Sequence, residues 1–296
     1  MLMITELSHI GLLSVFGEDA KSFLQGQVTC HVEEVSPIQS TLGAHCNLKG
    51  RMISLFRLFQ MQGQNGYYLS MPLSMVPIAL AHFKKYALFS KVSLEAVPTS
   101  SLSRFGVSGL QAEDFIHKIS SPSSEITICR LPDLEPRYEI YGSPSAIKRI
   151  LFEHQTHFHP LSNQAWELLD IQSGIPTVFP ETSEKILPHH ANLVFLQGIS
   201  FKKGCYLGQE IIARMQFKGK IKKHLYRAYV EAALTLLQPG TPIFSDNKQE
   251  TEEPGMVIRA SRRESGYEFL YIQDEQHSKD RAHLGELEGP VITPLF

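Results

Sequence analysis

Apolar residues recur along this chain at two different spacings, and the switch from one to the other marks out its elements. From Ser8 to Phe16 they are dense enough for a strand, and the Gly17-Glu18-Asp19 that follows is capping-competent. Residues 20–25 then read as a helix that Gly26 ends as a C-cap. Residues 44–59 are apolar except around Gly50-Arg51, which predicts a hairpin turning at Asn47-Leu48-Lys49-Gly50, and Tyr67 to Met71 continues in strand fashion. Met75, Ile78, Ala79, Phe83 and Tyr86 fall near 3.6-residue spacing, so a helix capped by Ser74 is expected through about Phe89. Thr99-Ser100-Ser101 and Ser121-Pro122-Ser123-Ser124 mark loops. Tyr138 to Tyr141 reads as a short strand, Ser143-Pro144 as the cap and first residue of a helix through Leu151, and Asn163 as the cap of a helix over 164–172 that Gly174 ends. Beyond Leu237-Gln238-Pro239-Gly240 the pattern changes to short apolar runs, Met256 to Ile258, Phe269 to Ile272 and Pro290 to Ile292, separated by polar turns. Such spacing suits a small barrel or sandwich.

A chain of 296 residues, 43% apolar and 20% charged, has room for two or three domains. Met1 to Ile4 is followed by Glu6 without a basic segment, and no apolar run reaches 18 residues. Neither a signal peptide nor a membrane span is indicated, so the expected compartment is the cytoplasm. The net charge of −2 hides an asymmetry. Residues 202–227 carry eight basic side chains against Glu210 alone, a net of seven positive charges, so the remainder carries −9. A basic strip on an acidic body suits an anionic partner such as a polyglutamate tail, nucleic acid or an acidic protein face, and equally a solvated hairpin.

Phosphate-binding, dinucleotide-binding and serine-hydrolase glycine motifs are all missing. The histidines His154, His157 and His159 form one cluster and His189-His190 a second; the first lacks a carboxylate or cysteine at ligand spacing, which favours surface histidines at a helix end over a metal site. Four cysteines, Cys30, Cys46, Cys129 and Cys205, are scattered without a C-x-x-C pair, and the first three read as small buried hydrophobes. Cys205 differs. It follows Lys202, Lys203 and Gly204 and precedes Tyr206-Leu207-Gly208, and cationic neighbours favour a thiolate. With no adjacent general base, a lone thiolate suits a metal or cluster ligand shared with a partner better than a protease-like nucleophile.

Lys203-Gly204-Cys205-Tyr206-Leu207-Gly208-Gln209-Glu210 resembles the K-G-C-[YF]-x-G-Q-E signature of the YgfZ family of folate-binding proteins, related to the glycine-cleavage T-protein. The likeness extends to Phe23 through Thr29, Lys49-Gly50-Arg51, Trp166 through Pro176, Asn192-Leu193 and Lys218-Gly219-Lys220. It implies an α+β fold, T-protein-like folate-binding lobes around a central cavity with a small C-terminal β-barrel. The two lobes would take residues 1–227 and the barrel residues 228–296. It further implies a tetrahydrofolate-binding accessory protein for iron–sulfur cluster assembly or repair, serving cluster-dependent enzymes that include tRNA-modifying ones. Its partners would be folate and iron–sulfur assembly or client proteins, with direct tRNA contact less favoured and no membrane. Cys205 would be the functional thiol and a transient cluster ligand, with Lys203 beside it. Glu139, Asn192, Lys202 and Arg214 would bind the folate, Glu139 at the pterin. Two departures stand out. The strand Met52-Ile53-Ser54-Leu55-Phe56 has no counterpart of the transferase aspartate, which makes folate-dependent aminomethyl transfer the runner-up, and Pro188-His189-His190 replaces a more usual Pro-Gln.

Overall fold

The structure, a computed structural model, describes residues 1–120, 125–133, 135–154, 158–231, 236–247 and 253–295. The loop expected at Ser121 to Ser124 and the histidine His157 lie outside these. In chain order the elements are β1 (Leu2–Glu6), β2 (Ile10–Phe16), α1 (Ala20–Gln27), β3 (Thr41–Cys46), β4 (Met52–Phe59), β5 (Gly66–Pro72), α2 (Val76–Tyr86) and β6 (Ser93–Val97). Next come β7 (Ser103–Ser108), α3 (Ala112–Ile119), β8 (Ile126–Arg130), β9 (Arg137–Gly142), α4 (Pro144–His154), β10 (Phe158–Pro160) and α5 (Asn163–Gln172). After a long irregular segment follow α6 (Gln209–Lys218), β11 (Lys223–Val230), β12 (Pro242–Ser245), β13 (Gly255–Arg263), β14 (Gly266–Asp274), β15 (Ala282–Leu284) and β16 (Thr293–Leu295).

These strands form three sheets. The first runs β10-β1-β7-β9-β8, the second β3-β4-β5-β2-β6, and the third β15-β12-β13-β14-β11-β16. All pairings are antiparallel except β1 with β10. The third sheet curls as a half-barrel, in line with the expected α+β class and C-terminal barrel. The division expected between residues 227 and 228 falls inside β11, which pairs with β14 from Lys223 onward.

Several element ends differ from the sequence reading. Helix α1 runs through Gly26 to Gln27, and the Asp19 carboxylate, instead of capping it, accepts from the backbone N–H of Lys91 at 2.8 Å. Ser74 lies in a short 3-10 turn, Leu73–Met75, without a capping hydrogen bond, and α2 stops at Tyr86, leaving Phe89 fully exposed. The cap of α5 is Ser162, whose hydroxyl accepts from Ala165 N–H at 3.1 Å; Asn163 is already helical. Pro290 to Ile292 supplies a single bridge, His283 to Val291, and the last strand begins at Thr293. The hairpin was legible: Asn47 Oδ1 accepts from the N–H groups of Lys49 and Arg51, closing the turn between β3 and β4.

A bulge at Ile258 joins the sheets. Val257 pairs with Tyr271 but Arg259 with Leu270, so the extra residue turns Arg259 onto the opposite face from Val257. There, 5% exposed, it donates to Glu167 Oε2 (2.7 Å) and Oε1 (2.9 Å) and to Asp170. The second oxygen of Asp170 meets Arg137 of β9 at 2.5 Å, and that guanidinium lies 5.0 Å from the Trp166 ring. Asp170 lies three residues after Glu167 and four after Trp166, so it neighbours both on the surface of α5. This helix thereby ties the first sheet to the third.

Candidate functional site

The segment from Gly198 to Gly208 is held by backbone contacts with the end of α1. Ser200 N–H donates to Thr29 O (2.9 Å) and Leu207 N–H to Gly26 O (3.1 Å). Thr29, fully buried, donates its hydroxyl to Gly198 O at 2.6 Å and accepts from Ala44 N–H at 2.9 Å. Asn192, in the left-handed conformation at φ 57°, opens the turn that returns the chain to Gly198. Asparagine tolerates that conformation better than most residues. On the far side, Gly208 sits at φ +81°, where a Cβ would meet Asn47 O at 2.5 Å, and Gly50 abuts Ile211 and Ile212 of α6. Four stretches far apart in sequence, Phe23 to Thr29, Lys49 to Arg51, Asn192-Leu193 and Lys203 to Glu210, thus meet around one loop.

Cys205 is exposed on this loop, whereas Cys30, Cys46 and Cys129 are buried. Burial pushes the Cys30 and Cys129 thiols up to about 12, and the Cys46 thiol upward as well. Lys203 is placed differently from its sequence neighbourhood. Its side chain turns inward, Nζ donating to Val28 O and Cys30 O at 2.7 Å each and lying 5.0 Å from the Tyr206 ring. Burial lowers its ammonium to about 8. The charge of Lys203 is engaged by carbonyls, while Lys202 and Arg214 are exposed, the latter on α6. The basic strip is likewise divided. Lys223 pairs with Glu253 at 2.7 Å, and Arg227 donates to Gln172 O and approaches Glu268. Lys202, Arg214, Lys218, Lys220 and Lys222 remain exposed.

Glu139 belongs to a second group, where the first and second sheets face each other. It is 9% exposed, its Oε2 lying 3.2 Å from Arg57 Nε of β4 and accepting from the Tyr141 hydroxyl at 2.7 Å. That hydroxyl also lies 2.9 Å from Ser70 Oγ. Burial works against the Arg57 charge, but Glu139 and then Cys129 and Tyr141 more than offset it and raise its pKa. The Tyr141 phenol is held well above its usual value by burial, then by Glu139. Phe59 stacks on Tyr141 at 4.2 Å and on Tyr68 at 5.4 Å. Arg104, opposite Tyr141 in register and 4% exposed, keeps a buried Nη1 without a hydrogen-bond partner among the described residues.

Strand alternation sorts the residues at the transferase-aspartate position. Ser54 pairs with His45, whose ring stacks on Phe83 of α2 at 4.1 Å, so Ser54 points to the helix-covered face. Leu55 alternates onto the face of Arg57 and packs into the main apolar core. Strand β4 links the two groups. Its turn touches the Cys205 loop and Arg57 reaches Glu139, a separation on the order of 20 Å along the strand.

Sequence reasoning named Glu139 but not Arg57 and Tyr141, which contact it, nor Arg104, which pairs with Tyr141 in register. Their signal was faint: polar side chains scattered among apolar ones in three short strands. His189 is 3% exposed with its pKa lowered by burial, and His190 is half-buried and lowered to about 4, first by burial and then by Lys223, so neither is an ordinary surface histidine. His154 meets Phe115 edge to face, ring centroids 5.4 Å apart. No group of three or more potential metal ligands occurs among the described residues. No helix among them is long and apolar enough to cross a membrane.

No family model matches the chain. It is 35% identical over 228 residues to the "tRNA-modifying protein YgfZ" of Vibrio atlanticus, spanning 76% of this chain and 68% of that one. It is 32% identical over 281 residues to the protein of the same name from Escherichia coli O157:H7, spanning 92% and 85%. Among solved structures it resembles the glycine cleavage system aminomethyltransferase T of Bartonella henselae, with a TM-score of 0.75, 14% identity, and coverage of 99% of this chain and 84% of that one.

Proposed function

The chain belongs to the family of the tRNA-modifying protein YgfZ, and from that premise we propose that it binds a reduced folate and serves assembly or repair of iron–sulfur clusters, tRNA-modifying enzymes being among the clients. The observation that carries this reading is the convergence of four separated sequence stretches on a loop that exposes one thiol while the other three are buried. A cluster would be cargo. Cys205 offers it a single thiolate, and its partner protein supplies the remaining ligands.

The lobe contact suits a pterin. Glu139 Oε2 is engaged by Arg57 and Tyr141, Arg104 keeps an unpartnered Nη1 two positions along the neighbouring strand, and Phe59 stacks on Tyr141, so the region holds a carboxylate acceptor, a guanidinium donor and stacked rings. A flat heterocycle bearing alternating donors and acceptors is recognised by such a set. When bound, a reduced folate supplies a one-carbon carrier at its N5 position. Asn192, Lys202 and Arg214 are the further folate contacts in this reading, the exposed Lys202 and Arg214 being suited to a glutamyl tail.

Likeness to an aminomethyltransferase fold favours a second reading, folate-dependent one-carbon transfer. Leu55 weighs against it, because an apolar side chain on the Arg57 face of β4 can neither take nor give a proton. Calorimetry with tetrahydrofolate tests the first reading, with Glu139→Gln expected to weaken binding roughly tenfold or more. Cys205→Ser is expected to keep that affinity while losing rescue of cluster-dependent enzymes in cells lacking the protein. No binding at millimolar folate, or full rescue by Cys205→Ser, overturns it. Methylene-tetrahydrofolate formed from an aminomethylated lipoyl carrier at enzyme-like rates establishes the second reading instead.

A further inference from the structure

A cavity of about 370 Å³ lies where the β3–β4 turn, the segment Lys185–His190 and the third sheet come together. Its size is at the lower end of the range for small-ligand sites. The rim is cationic, formed by Arg51, Lys185 and Lys223, and the floor is apolar, including Met256 and Ile272. One acid, Glu253, faces the three cations and is already paired with Lys223. Arg51 Nη1 donates to Lys185 O at 2.7 Å, which fixes the guanidinium at the rim, and Lys185 has no ion-pair partner among the described residues. Two groups of the cavity register its field. His190 is lowered first by burial, then by Lys223, His189, His224 and Arg51, while Glu253 is lowered first by its bond from Lys223, with Arg51 and His190 contributing. An apolar floor under excess positive charge favours one ligand chemistry, an anionic head on a small apolar body.

The geometry points to this cavity as a binding site for a small amphiphilic organic anion, its carboxylate or phosphate held by Arg51 and Lys223 and its apolar body resting on Met256 and Ile272. Occupancy would reach the folate-facing strand. Glu184 N–H donates to Met52 O and Met52 N–H to Ile186 O, at 2.8 Å each, so the cavity wall is an extension of β4.

Calorimetry on the full chain at low salt, with 1-naphthoate, 1-naphthyl phosphate, 1-naphthalenemethanol and inorganic phosphate, separates the contributions. At least one naphthyl anion is expected to bind with a Kd on the order of 0.1 mM, typical of so small a ligand. Whichever anion binds more tightly identifies the head group. Arg51→Gln and Lys223→Gln should each weaken it roughly tenfold, and thermal melts verify that both variants fold. Neutral alcohol or inorganic phosphate binding as tightly as the naphthyl anions overturns the proposal. So does an affinity indifferent to both substitutions, or no binding of either naphthyl anion at about 10 mM. Tetrahydrofolate affinity, measured on the same variants, should be unchanged, so this inference can fail while the folate reading stands.

Discussion

Iodoacetamide added to the folded protein near neutral pH is expected to modify Cys205 first, by roughly an order of magnitude or more over the other thiols. Cys30, Cys46 and Cys129 are buried and held protonated by that burial, so mass mapping should find them modified only as the fold opens. Equal labelling of all four in native buffer would remove the thiol from the centre of the proposed function. The same scale offers a sharper stability test at Arg57. Its side chain and that of Glu139 are 9% and 11% exposed, so truncating one partner strands the other charge in the interior. Arg57→Met is expected to cost about 3–5 kcal/mol by urea unfolding, and Arg57→Met with Glu139→Leu distinctly less. If the double variant is as unstable as the single one, the cost comes from packing instead of the unpaired charge.

Among elements, the loop carrying Cys205 distinguishes its two glycines. Gly204→Ala meets nothing within 4 Å and should be close to neutral, whereas Gly208→Ala puts a Cβ at a positive φ against Asn47 O. A loss of about 1–2 kcal/mol is expected for the latter from backbone conformation alone, read from urea midpoints of the two variants side by side. Equal effects would mean the loop is not wedged against the β3–β4 turn. Sequence had treated these glycines alike, because composition gives no sign of what lies across from a Cβ. The hairpin was readable because its turn is local, closed by the side chain of Asn47 on its own neighbours. Helix ends were less so. Gly26 continues α1 because the helix still has hydrogen bonds to make, and Ser162 outcompetes Asn163 for the cap, a one-residue choice that spacing does not resolve. The tripeptide Lys202-Lys203-Gly204 suggested two charges beside a thiol, but a lysine with two buried carbonyls in reach is drawn inward, and those carbonyls belong to residues more than 170 positions away. Arg57 meets Glu139 only through the facing of two sheets, which no local pattern encodes.

For the whole molecule, the contact of α5 with Arg259 should appear in the acid limb of stability. Burial favours the neutral form of Glu167, yet Arg259 and hydrogen bonds from His9 and Arg259 hold its carboxyl at about 2. A carboxylate depressed in the folded state stabilises above its unfolded value, near 4.3, and that contribution is lost as pH falls from there toward 2. Urea midpoints should therefore drop between about pH 4.5 and pH 2. Glu167→Gln should start lower at neutral pH and show a shallower drop; an unchanged acid slope would place the linkage elsewhere. The grip of Lys203 on Val28 and Cys30 has a consequence for how the protein is made. Residues near position 30 leave the ribosome early, but Gly198, Ser200 and Lys203, which complete their surroundings, come some 170 residues later. Until then the end of α1 emerges with its carbonyls unclaimed and without the lysine that closes over Cys30. The Cys30 thiol itself packs against Gly43, made soon after it, so a chain stalled before residue 203 would leave those two carbonyls, and not that thiol, without their late partner.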